Sequence, residues 1–165
     1  MRRVTFRLAG EPRGKGRPQF SVRAKGAAGR PIVNARTPAK TRHYEAALAM
    51  AAQQAMVSLP LLEGPLRVLM IAVFAIPASW PARKRELALK GHVRPTKKPD
   101  WDNCAKMTDA LQGIVFGDDA YIVDGRLLKW FGPKPELEVT VEELDALPSQ
   151  ASSPDFQRLL KLHGS

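Results

Sequence analysis

The sequence predicts an α+β fold in which one mixed β-sheet is packed with helices. Segments of strand composition lie near the start, in the middle and towards the end of the chain, and helical patterns fall between them. The 165 residues suit one domain, and 44% hydrophobic residues suffice for one core. We place that domain at residues 1–143 and read residues 144–165 as a polar linker with a short helical tail.

Val4 to Leu8 alternates apolar and polar residues, as a half-buried strand does. The following GEPRGKGRPQFSVRAKGAAGRP is dense in Gly and Pro and reads as a long loop with no regular element. Thr37 before Pro38 marks a helix start, with a capping hydroxyl and then proline at the first helical position. The Ala-rich run from Tyr44 to Val57 continues that helix towards Pro60. Leu66 to Ile76 is aliphatic and reads as a buried strand, and Pro81 to Lys90 as a short polar helix stopped by Gly91. From Asp102 to Ile114, Cys104, Met107, Ala110, Leu111 and Ile114 follow a helical period. Tyr121 to Phe131 and Leu137 to Val141 read as strands, and the turn residues Gly132, Pro133 and Pro135 between them predict a hairpin.

Apolar runs such as Leu66 to Ile76 fall short of the roughly 20 residues of a membrane-spanning helix. The charged opening MRRVTFR is unlike a signal peptide, and the single cysteine, Cys104, excludes an internal disulfide. Both point to the cytoplasm and away from a membrane. Charge is the stronger clue: residues 1–43 hold twelve Lys or Arg against one acid, Glu11, whereas the remaining 14 basic and 15 acidic residues nearly cancel. A basic segment on a balanced body is the footprint of a polyanion-binding protein, nucleic acid being the usual partner, although a solvated basic arm has the same composition.

Against that background the acids of KKPDWDNCAKMTDALQGIVFGDDAY stand out. Singly, each has a structural explanation: Asp102 can cap a helix, Lys106 can pair with it one turn on, and Gly117-Asp118-Asp119 can form a turn. Together they allow more. Asp100 and Asp102 flank Trp101 in what reads as an extended segment, so both can leave one face, and the helix that follows returns the Asp118-Asp119 pair towards the sheet. Three carboxylates from two segments then converge as Mg²⁺ or Mn²⁺ prefers, with Lys106 pointing to the same place. Such a metal activates water and stabilises charge on a scissile phosphate. His43, His92 and His163 share no zinc spacing with Cys104.

The order Pro99-Asp100-Trp101-Asp102-Asn103-Cys104-Ala105-Lys106, Asp109-Ala110-Leu111, Asp118-Asp119 and Lys129 resembles the signature of RusA-type Holliday junction resolvases. Gly10, Pro12, Lys15, Arg17 and Pro18 are similar to that family's basic N-terminal loop, and the resemblance runs from about residue 4 to about residue 143. Trp101 and Cys104 stand where the pattern expects aliphatic residues. The resemblance implies a RusA-like homodimer that nicks four-way DNA junctions symmetrically with Mg²⁺, or Mn²⁺ in its place. It implies Asp100, Asp102 and Asp119 as metal ligands and Lys106 as the catalytic lysine, while Arg13, Lys15 and Arg17 would grip phosphates. Two alternatives share the fold: a metal nuclease acting on forks or flaps, and a non-catalytic DNA-binding protein.

Overall fold

The structure, a computed structural model, describes residues 1–25 and 31–144. Its main sheet has four strands: β1 (Arg3–Ala9), β4 (Leu66–Ala75), β5 (Ile122–Gly132) and β6 (Glu136–Glu143) in the spatial order β1-β6-β4-β5. β6 runs antiparallel to both β1 and β4, and β4 runs parallel to β5, so the sheet is mixed. The α+β expectation holds.

One face of this sheet is the core. Along β4, Leu66, Val68, Met70, Ala72 and Phe74 are buried and their neighbours are not, the period of two that a strand covered on one side requires. Register stacks these residues across strands: Val141 lies between Val4 and Val68, and Val139 between Phe6 and Met70. Fully burying each such valine or methionine contributes roughly 1.5–3 kcal/mol. Helix α1 (Ala39–Ala55) covers this face with Tyr44, Leu48 and Ala52, spaced four apart on one side. It starts one residue later than Thr37-Pro38 predicts, because the Pro38 carbonyl accepts the first helical N–H groups, from Thr41 and Arg42, and no side chain caps it.

Three expectations give way to the structure. The Gly/Pro-rich stretch contains β2 (Gln19–Lys25), which pairs antiparallel with β3 (Pro31–Arg36), a strand that begins at the last residue of the stretch. Pro31 begins its strand, and in a two-stranded ribbon every strand is an edge that can tolerate a missing N–H. Secondly, β5 and β6 do not form a hairpin, because β4 lies between them. The chain arches over β4 through Pro133–Pro135, and a Cβ on Gly132 would collide with Val73 Cγ1, so glycine makes the crossing possible. Thirdly, the helix expected over residues 102–114 is a short α-helix, α3 (Trp101–Ala105), continued by a 3₁₀ segment at Lys106–Leu111. The tighter winding keeps Met107 and Leu111 in the core, and Val115 and Phe116 of the turn that follows are buried there too.

Helix α2 (Ala82–Leu89) is as expected, and Gly91, at φ +78°, ends it with a conformation that glycine adopts without strain. α2, α3 and the 3₁₀ segment all lie in the crossover from β4 to β5, which also carries the whole acidic cluster. The tail expected beyond Leu144 falls outside the described residues. No helix among the described residues is long and apolar enough to cross a membrane.

Candidate active site

Pro99 leads into α3, and the Asp100 carbonyl accepts the Cys104 N–H at 3.1 Å to close its first turn. The cap position is thus held by Asp100, not Asp102, and the Asp100 side chain makes no capping bond. Asp102 belongs to the first turn of α3, where its carboxylate accepts a hydrogen bond from Lys106 Nζ at 3.1 Å. That bond holds the Asp102 carboxyl below its ordinary range, so it is an anion at neutral pH. Both partners are exposed, which makes the pair weak and exchangeable.

The remaining acids separate by the hydrogen bonds they make. Asp118 caps the 3₁₀ turn at Asp119–Tyr121, accepting from Ala120 N at 2.8 Å, so the structural role falls to it. Asp119 is exposed and, like Asp100, makes no side-chain hydrogen bond or ion pair among the described residues. Asp109 is taken by Lys15, whose Nζ lies 2.5 Å from its Oδ2 and 3.7 Å from Glu45 Oε1. Among the described residues no three His, Cys, Asp or Glu side chains are gathered as a metal cage, so Asp100, Asp102 and Asp119 do not form one preassembled group.

The basic loop is docked onto this segment. Lys15 N donates to Asn103 O at 2.7 Å, and Gly14 packs so closely that a Cβ would lie 2.8 Å from Pro99 Cβ and 3.0 Å from Asn103 Cβ. Gly16 N donates to Thr41 Oγ1 at 3.2 Å, which ties the same loop to α1. Between loop and helices lies a cleft of about 620 Å³ lined by Arg13, Lys15, Arg17, Lys40 and Lys98 together with Asp100 and Asn103. Arg13 and Arg17 are exposed and make no ion pair among the described residues, whereas the Lys15 charge is shared with Asp109 and Glu45. Beneath the loop, burial pushes the Tyr44 phenol up to about 12, and its hydroxyl lacks a well-formed hydrogen bond.

Two supports were not legible as such. Lys129 reaches from β5 to the carbonyls of Lys97 and Pro99, both at 2.9 Å, strapping the segment ahead of Asp100 to the sheet. Its signal was its place in the motif that resembles the RusA signature, as a lysine between Leu128 and Trp130 in a strand. Trp101, exposed by 55%, donates its indole N–H to Leu127 O at 3.2 Å, and Cys104 is a buried free thiol whose pKa is raised by burial. Both departures from the family pattern therefore have places in the packing, one over β5 and one in the core.

Comparison with known proteins gives the chain a family. A family model described as "Endodeoxyribonuclease RusA" matches residues 9–142, which include the loop, the acids and all of β4 and β5. The chain is also 34% identical over 146 residues to the "Uncharacterized protein YqaN" of Bacillus subtilis (strain 168), covering 87% of this chain and 98% of that protein. On the span of the match, which covers most of the sequence, the chain belongs to the RusA family of endodeoxyribonucleases.

Proposed function

We propose that the protein resolves four-way DNA junctions by paired, metal-dependent nicks, acting as a homodimer. The observation that carries this reading is the meeting, in one cleft, of a basic wall with the free carboxylate of Asp100. Phosphates are attracted to such a wall by counterion release, and cations placed on the backbone fix position without reading sequence. Arg13 and Arg17 supply those contacts, and Lys15 contributes to them while holding the loop against Asn103 and Asp109. A four-way junction has two-fold symmetry, so two chains related by a dyad supply one site to each strand that is cut.

The acids suit Mg²⁺ in donor chemistry, being exposed anionic oxygens. The lack of a complete cage is compatible with an ion that keeps several waters and takes one or two carboxylates plus substrate phosphate oxygens. Asp100, Asp102 and Asp119 would hold it, and Mn²⁺ would substitute. When bound, it would supply an activated water and offset charge on the phosphate. The chain's own residues orient the reaction: Lys106 exchanges its exposed partner Asp102 for the phosphate or the attacking water, and Lys129 fixes the height of Asp100 above β5.

The decisive experiment compares a synthetic four-way junction, a replication fork and a linear duplex in Mg²⁺ and in EDTA. Paired nicks confined to the junction and dependent on the metal are expected. Equal cutting of fork and junction would instead give the broader nuclease, and binding without cutting would give the non-catalytic protein.

A further inference from the structure

We infer that a second cavity, next to the cleft, is a pocket for an unpaired nucleotide of the DNA strand. It has a volume of about 360 Å³, and its walls include Phe74, Trp80 and Phe131, with Lys84, Lys97 and Lys98 among its cations. Trp80 and Phe131 stand edge to face, with centroids 5.1 Å apart, so the two rings meet as a corner. Lys84 Nζ lies 3.9 Å from the Trp80 ring centre, which brings a cation to the aromatic wall.

Two features identify the occupant. The first is charge: the one acid in the lining, Glu11, is engaged in accepting the Ala75 N–H at 3.1 Å, and the lysines leave the cavity positive. Aromatic rings under a cationic rim match a nucleobase with its phosphate, the base stacking and the phosphate meeting lysine. An aliphatic or acidic peptide would use only half of that chemistry. The second is continuity: Lys98 lines this cavity and the basic cleft alike, and Asp100 follows it by two residues. Lys129 straps the intervening segment at Lys97 and Pro99, giving the wall between the two cavities a fixed position. A strand whose phosphate lies in the cleft can thus send a neighbouring base, freed from its pair at a branch point, into the aromatic corner. Arg94 is not part of the rim's free charge, since its guanidinium covers Trp130 at 3.1 Å and donates to Lys129 O at 2.9 Å.

This inference rests on the reading that DNA occupies the cleft, but its test needs no cleavage. Full-length protein in EDTA is bound to two otherwise identical duplexes, one fully paired and one with a single unpaired 5-iodouracil. The bulged duplex should bind roughly ten-fold more tightly, the order of one base stacked on an aromatic ring. Irradiation should crosslink the iodouracil to Trp80 or Phe131, located by mass spectrometry. Trp80→Ala should abolish the preference while leaving the affinity for paired duplex unchanged, and Trp80→Phe should restore part of it. Lys84→Ala, on an exposed helical turn, should weaken the preference with no change in thermal stability. Equal affinity for the two duplexes, or crosslinks only outside this cavity, would overturn the assignment even if junctions are cut as proposed. Altered sedimentation of Trp80→Ala, with no crosslink to Trp80 or Phe131 in the wild type, would give the cavity to a second copy of the chain and overturn it as well.

Discussion

Replacing Gly14 by alanine separates the position of the basic loop from the stability of the fold. The new Cβ would stand 2.8 Å from Pro99 Cβ and 3.0 Å from Asn103 Cβ, whereas carbons rest at about 3.5–4.0 Å. The loop must therefore retreat from α3 by roughly 0.7–1 Å. That movement stretches the 2.7 Å bond from Lys15 N to Asn103 O, a net loss of about 0.5–1.5 kcal/mol. Gly14 does not occupy the left-handed region, so alanine also restricts the unfolded chain and returns about 0.4–1 kcal/mol. The two effects nearly cancel, and the melting temperature should hardly change. Catalysis has no such compensation, because a misplacement near 1 Å can lower the rate by about 100-fold. Single-turnover nicking of a four-way junction at saturating Mg²⁺, beside a thermal melt, makes the comparison. Wild-type nicking by a normally folded Gly14→Ala protein would show that the loop does not position the DNA.

Asp102→Asn should abolish nicking while leaving junction binding intact or tighter, and the loss cannot be ascribed to a missing cap because Asp102 does not occupy the cap position. Asp119→Asn should behave alike, whereas Asp118→Asn should retain activity, since asparagine can accept the same Ala120 N–H; gel shifts and cleavage gels with and without Mg²⁺ check all three. Replacing Arg13 and Arg17 together should reduce the slope of log K against log salt by about 1.8, or 0.9 per phosphate contact, and Lys15→Met by less because its ammonium is already paired. Salt titrations of duplex binding measure this, and an equal change for Lys15→Met would refute the pairing argument. Hydrogen bonds from Arg2, and from the Glu63 N–H at 3.0 Å, hold Glu143 at about 2, below its ordinary 4.5. A depressed carboxyl stabilises the fold above its unfolded pKa, and that contribution is lost as pH falls through the folded one. Urea midpoints of wild type and Glu143→Gln should therefore differ at pH 7 and converge between pH 4.5 and about 2.

What the sequence made legible was whatever local pattern decides. The β4 alternation from Leu66 to Phe74 is a property of consecutive residues, and the strand is where the pattern puts it. The turn residues after Phe131 told correctly where the chain reverses, but not which strands pair, because a strand contributed much earlier in the chain lies between the two. Density of Gly and Pro hid the β2–β3 ribbon, since a composition argument cannot see that Pro31 falls at a strand's first residue. For the acids, spacing picked out the set, while the division of labour between Asp118 and Asp119 depends on one hydrogen bond. Trp80 and Phe131 are brought together only by the packing of α2's approach against β5, so no window of sequence joins them.

The position of β6 has a consequence for how the protein is made. β1, the first strand, pairs in the main sheet only with β6, the last strand, and the loop after β1 is tied at Gly10 to Pro135, just ahead of β6. Until β6 has been synthesised, β1 therefore lacks its neighbour in the sheet, and the loop that follows it is held by its contacts with Pro135, Asn103, Asp109 and Thr41. Pairings so distant in sequence form late, after the loop between them has closed. A nascent chain on the ribosome, or one clipped before Glu136, would retain every acid of the 97–121 cluster and every loop cation without the β1–β6 pairing that seats the start of the loop. The last described strand thus completes the sheet edge from which the basic loop departs, so that edge is finished only when β6 has been made.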